Sequence, residues 1–222
     1  MSSNQSSLDK YLGPTESLQE VLFGLIMVLS FTLGAGLIVE EGPGATSRML
    51  WGTLTCNIAW GLIDGGMYLM TCMLDRNRKA RLLERVQKAT TEDDALVMIG
   101  AELDKGLEPL TSPEERKHVY HAVLERLRSV QPERTRLTRD DLLGAIACFF
   151  LVLLSTIPAI VPFLLFRDRF VALRVSNALL LAMLFVVGYH WARATHANTW
   201  LFGSALFLVG LVMVATAMAF GG

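Results

Sequence analysis

Thiols are scarce in this 222-residue chain. Its three cysteines, Cys56, Cys72 and Cys148, all fall inside or at the edge of apolar runs. There is no CxxC pair and no cysteine in a polar segment, so a disulfide framework and a thiolate zinc site are excluded. The cysteines read as small packing residues. Charge is also scarce, at 18% of residues against 52% hydrophobic, which is more apolar sequence than the core of a soluble domain of this length requires. No glycine motif of the phosphate-cradling kind appears, and no nucleophile stands with a base, so neither an enzyme nor a nucleic-acid partner is expected. The first 17 residues are polar and Ser-rich with a single Lys10. They lack the basic, apolar and cleavage regions of a signal peptide, so the first apolar run is expected to serve as its own insertion signal.

What the chain has in abundance is long apolar runs. Five are long enough to cross a bilayer, at residues 18–39, 50–74, 142–166, 171–192 and 199–220, since a span takes about 20 residues. Of the 20 Lys and Arg, 14 lie between Arg76 and Arg139. The basic residues flanking the spans (Arg76, Arg78, Lys79, Arg134, Arg136, Arg139) place that segment in the cytoplasm by the positive-inside rule. The expected fold is an all-α polytopic membrane protein of five transmembrane helices, with a three-helix cytoplasmic insert between the second and third. Residues 1–17 form a cytoplasmic tail, 18–74 the first two spans, 75–140 the insert and 141–222 the last three spans. The N-terminus then lies inside and the C-terminus outside, with a bacterial inner membrane as the expected location.

Three helices are expected in the insert. The first, about 76–89, continues the second span and carries six basic residues. The second, about 92–107, starts behind Thr91 as N-cap. The third opens on Ser112-Pro113-Glu114-Glu115, which has the order of a capping box with proline at the first helical position. Val119, Val123, Leu124, Leu127 and Val130 are expected to form its apolar face.

Asp64 is the residue most costly to keep, because a carboxylate in mid-span marks an ion or proton path by default. Asn57, Gly61, Tyr68, Thr71 and Asp75 share its helix face. Such a stripe faces protein or water, because lipid would leave its polar groups unpaired. Glu20, Gly24, Met27 and Gly34 make a matching stripe on the first span, with Glu20 at the cytoplasmic entrance. The bland alternative is a close-packed helix pair in which Asp64 is protonated or hydrogen-bonded to Asn57 or Tyr68. Met27, Met67, Met70 and Met73 accompany the carboxylate. Thioether with carboxylate suits Fe(II), and oxygen donors suit Mn(II), although methionine is also ordinary membrane-core filler. Pro158 and Pro162 interrupt the third span and free carbonyls near Leu154 and Pro158, as in a binding-site break or a plain kink. Glu114, His118, His121 and Glu125 fall on one face of the third insert helix, either as a metal face or as a solvated charged one.

This arrangement resembles the vacuolar iron transporter family: two spans, a cytoplasmic helical insert, then three spans. Ile157-Pro158-Ala159-Ile160-Val161-Pro162-Phe163 is similar to that family's third-span motif. Ser176, Leu184-Phe185-Val186-Val187-Gly188, Gly203 and Gly210 follow its last two spans. The resemblance implies export of iron or manganese from the cytoplasm against protons, by a homodimer in membrane lipid. The metal would be cargo, with no permanently bound cofactor. It also implies a first-span aspartate where this chain has Met27, and a second-span glutamate where it has Asp64. The insert carries one methionine, Met98, and its first helix is basic. A second class of function therefore stays open, a non-transporting membrane scaffold that docks a partner through the insert.

Overall fold

Capping residues and prolines set the ends of the helices. The structure, a computed structural model, describes residues 12–38, 42–131 and 136–220. Among these described residues eight helices run in order: α1 Pro14–Ile38, α2 Ala45–Gln87, α3 Glu92–Leu107, α4 Pro113–Ser129, α5 Arg139–Leu154, α6 Ile157–Leu165, α7 Arg169–Ala194 and α8 Thr199–Ala219. Among the described residues there is no strand. The chain divides into two compact units, one of residues 1–69 and 139–222, the other of residues 70–138.

Among the described residues four helical segments are long and apolar enough to cross a membrane: Pro14–Gly34, Arg139–Leu165, Arg169–Ala194 and Thr199–Ala219. The 50–74 run lies in α2, one continuous helix of 43 residues, and falls outside that set. Asn57, Asp64 and several glycines interrupt its apolar sequence. The third apolar run is two helices, because Thr156 donates its amide to Leu153 and Pro158 has none to give.

In the larger unit, the main core joins Leu22, Leu25, Val28, Leu29 and Leu33 of α1 to Leu180, Leu181, Leu184 and Val187 of α7, with Ala159 of α6 between them. Ser176 ties α7 to α6 by donating its hydroxyl to the Ala159 carbonyl at 3.0 Å. α7 and α8 touch backbone to backbone. A Cβ on Gly188 would come within 2.8 Å of the Phe202 carbonyl, and one on Gly203 within 3.0 Å of the Phe185 carbonyl. Asn198 caps α8 by accepting from the Leu201 amide.

In the smaller unit, Val86, Ala95, Ile99 and Leu124 form the core, flanked by Leu82, Tyr120, Val123 and Leu127. Val119 and Val130 are exposed, so the buried face of α4 is turned toward Tyr120 from the expected one. The cause is the partner helix. Tyr120 donates its hydroxyl to Asp104 of α3, and Arg116 lies 3.7 Å from the same carboxylate. The bond to Asp104 pushes the Tyr120 hydroxyl above its ordinary value. Gln87 closes the other end by donating to the Leu127 and Val130 carbonyls at 2.9 and 2.7 Å.

Thr91 caps α3, and Ser112 with Glu115 completes a reciprocal capping box on α4. The Ser112 hydrogen bonds hold the Glu115 carboxyl below its ordinary value of 4.5. Replacing Ser112 with alanine should weaken the start of α4 by about 1 kcal/mol, measured as faster amide exchange in its first turn. A carboxyl with a depressed value stabilises the fold above its unfolded value and loses that contribution as pH falls through the folded one. The difference between Ser112→Ala and wild type should therefore be full at neutral pH and shrink below about pH 4.5.

Candidate transport site between α1, α2 and α5

Glycines bring these three helices together. Gly61 and Gly65 of α2 face α5, where a Cβ would approach the Phe149 carbonyl to 3.1 Å and the Ala145 carbonyl to 2.9 Å. Gly24 of α1 faces the end of α5, where a Cβ would meet the Val152 carbonyl at 2.9 Å and would collide with Ser155 Oγ. Tyr68 covers Gly144. Larger residues at these positions would push the helices apart and separate the polar groups between them.

One layer of that seam is built on Asn57, which is fully buried. Its amide nitrogen lies 3.4 Å from the Gly24 carbonyl, 3.3 Å from the Val152 carbonyl and 2.9 Å from Thr156 Oγ1. Two of these neighbours are backbone acceptors, so the nitrogen rather than the oxygen must face them. The Val152 carbonyl is unclaimed by the helix because the Thr156 amide has turned to Leu153, and Ser155 Oγ also donates to it at 2.6 Å. The break before Pro158 thus supplies a carbonyl from Val152, and a side chain from α2 occupies it. Asn57 Oδ1 is buried and accepts no hydrogen bond from the described residues.

The next layer holds Asp64, two turns along α2, and Glu20, one turn before Gly24 on α1. Their carboxyls are within hydrogen-bonding contact of each other. Among the described residues no donor reaches Glu20 Oε2 or Asp64 Oδ2, and both atoms are buried. Two carboxyl groups can bond only when one carries a proton, and they otherwise need a shared cation to offset their repulsion. Glu20 therefore sits beside Asp64, not at a separate entrance. Asp64 bonds to Glu20, while Asn57, one of its two expected packing partners, is engaged elsewhere. Cys148 of α5 is fully buried and close enough to feel both charges. Trp60, one turn before Asp64, has a buried Nε1–H without an acceptor.

The other predicted residues are more dispersed. Met27 is half-buried two turns beyond Glu20 on α1, and Met67 is exposed. Pro158 lies half-buried and Pro162 buried in α6. Thr71 and Asp75 are exposed on α2. On α4, Glu114, His118, His121 and Glu125 are exposed, and His121 Nδ1 lies 3.2 Å from Glu92 of α3. Among the described residues, no three or more His, Cys, Asp or Glu stand close enough to hold a metal ion together. Trp60, Cys148 and the Val152 carbonyl were not among the residues the sequence pointed to. Trp60 could have been found, since it falls one turn from Asp64 on the same side of α2.

A family model described as the VIT family matches residues 72–222. A search of curated proteins gives no match. The matched segment begins eight residues after Asp64, so the pairing of Glu20 with Asp64 stands on the geometry alone.

Proposed function

The chain belongs to the VIT family, and from that premise we propose that it is a multi-pass membrane transporter of a divalent transition metal, iron or manganese. The observation that carries this reading is the Glu20–Asp64 contact, a half-buried pair of carboxyls with one buried oxygen each, which is best satisfied by a proton or a cation between them. A site with that property exchanges one for the other: metal binding releases the proton, and protonation releases the metal. The exchange supports coupling of metal to protons, and export from the cytoplasm is the direction we propose, as the resemblance to the family implies.

In this reading residues 50–74 are the second of five spans. Asn57, Asp64, Gly52, Gly61 and Gly65 face α1 and α5, and Trp51, Leu62, Ile63, Gly66 and Met67 face outward. Residues 75–140 form the cytoplasmic insert, residues 1–17 the cytoplasmic tail and residues 141–222 the last three spans. The protein sits as a homodimer in a bacterial inner membrane, with its N-terminus inside and its C-terminus outside. Met27 would serve as a later ligand along α1, and Tyr68, Pro158 and Pro162 would shape the path. Glu114, His118, His121 and Glu125 would act as a weak collecting face on the insert.

One observation favours a second reading, a membrane scaffold without transport. Arg78, Lys79, Arg81 and Arg85 are exposed on α2, and a basic face attracts an acidic partner or anionic lipid more readily than a metal cation. Flux separates the two. Purified protein in liposomes should accumulate Mn(II) or Fe(II) faster than protein-free liposomes, and faster still under an opposing proton gradient. Flux equal to that of protein-free liposomes would favour the scaffold.

A further inference from the structure

The groups without protein partners in the seam are not scattered. Asn57, Trp60 and Asp64 are spaced i, i+3 and i+7 along α2. At about 100° per residue, Trp60 and Asp64 fall to one side of Asn57, while Gly61 and Gly65 fall to the other and meet α5. The orphaned atoms thus line the side of α2 that carries Asp64 to Glu20 of α1. They are complementary, because Asn57 Oδ1 accepts, Trp60 Nε1–H donates and the acid pair can do both. Consecutive members stand about 4.5 and 6 Å apart in rise along the helix. Among the described residues none of these atoms bonds to the next, which leaves each of them open to a bridging water. Buried polar groups in folded proteins find partners, and where the protein offers none, ordered water fills the place if several polar atoms converge.

We propose that a short chain of bound water runs along this side of α2, from the Glu20–Asp64 pair past Trp60 to Asn57, and that protons reach the pair through it. Trp60 only orients, since its indole N–H donates without being passed on. The chain ends at the layer where Asn57 meets Thr156 and the α5–α6 break. Besides each other, the groups whose charge bears on the pair are Glu16, one turn before Glu20, and Cys148. The assignment of protons to this route rests on the proposed exchange of metal for proton. The water itself does not depend on it.

Infrared difference spectroscopy of the purified full chain tests both parts without a transport assay. Exchanging H2O for H2(18)O should shift O–H stretching bands of internal water in the wild type. Trp60→Phe, which removes only the N–H and keeps a ring, should lose those bands. Asp64→Asn, which keeps the side-chain shape, should lose or displace them as well, so the test survives if either variant folds poorly. In D2O the carboxyl C=O band of the pair should shift promptly in the wild type and later in Trp60→Phe. Wild-type spectra without bands sensitive to the oxygen isotope, or bands unchanged in both variants, would overturn the water chain. Equal exchange of the carboxyl band in wild type and Trp60→Phe would overturn its role as the proton route. Absence of metal flux with the water bands intact would sink the transport reading alone.

Discussion

Asn57→Asp is expected to be among the most destabilising single substitutions in the chain, although it changes one atom. The amide nitrogen now faces the Gly24 carbonyl, the Val152 carbonyl and Thr156 Oγ1. A carboxylate oxygen in its place would turn two backbone contacts into repulsions and bury a charge. Leaving a buried acceptor unpaired costs about 1–3 kcal/mol, and an unpaired buried charge costs more. The expected loss is therefore roughly 3 kcal/mol or more. Asn57→Leu also strips the donor but adds no charge, so it should be damaging to a smaller degree. Reversible unfolding in mixed micelles measures both. An Asn57→Asp protein as stable as wild type would mean that the three contacts contribute nothing.

The adjacent glycines of α2 should respond in opposite ways to the same methyl group. A Cβ on Gly65 would lie 2.9 Å from the Ala145 carbonyl, a backbone atom that cannot swing aside, whereas a Cβ on Gly66 meets nothing within 4 Å. Gly65→Ala should cost about 1–3 kcal/mol by forcing α2 away from α5. It should also loosen the Glu20–Asp64 contact one residue away. Gly66→Ala should be neutral or stabilising by about 0.5–1 kcal/mol, because alanine orders a helix interior better than glycine. The same unfolding assay checks the pair. Equal effects would mean that the α2–α5 contact is not as close as the structure places it.

Local signals were legible in the sequence and long-range register was not. Thr91 and Ser112 announced the starts of α3 and α4 because a cap acts within three residues of itself. Pro158 announced a break for the same reason. Which carbonyl the break freed depended on whether the Thr156 amide turned to Leu153 or Val152, and what filled it lay 95 residues away in Asn57. The α4 face shows a smaller version of this. Its apolar period was readable, but Asp104 on α3 drew Tyr120 inward and left Val119 and Val130 exposed.

The acid pair was the least legible feature. Asp64 stood out as a charge in an apolar run, and Glu20 read as an entrance residue because it begins the first span. Their meeting depends on how far α1 and α2 slide past one another. Gly24, Gly61 and Gly65 fix that offset by letting backbone approach backbone. A glycine shows that something comes close without saying what. Met27, singled out on the first-span stripe and standing where the family has an acid, lies two turns beyond Glu20, so the second acid of the site is Glu20, which the sequence placed on that stripe without showing that it meets Asp64.

The central claim is that Glu20 and Asp64 act as one unit, and a double-mutant cycle on transport tests it most directly. Initial Mn(II) flux into liposomes under a proton gradient would be measured for wild type, Glu20→Gln, Asp64→Asn and the combined variant. Groups that work as a unit are non-additive. Each single substitution should therefore abolish most proton-driven flux, and the combined variant should be no slower than the worse single one. Wild-type flux in Glu20→Gln, or a combined loss equal to the product of the two single losses, would contradict the account.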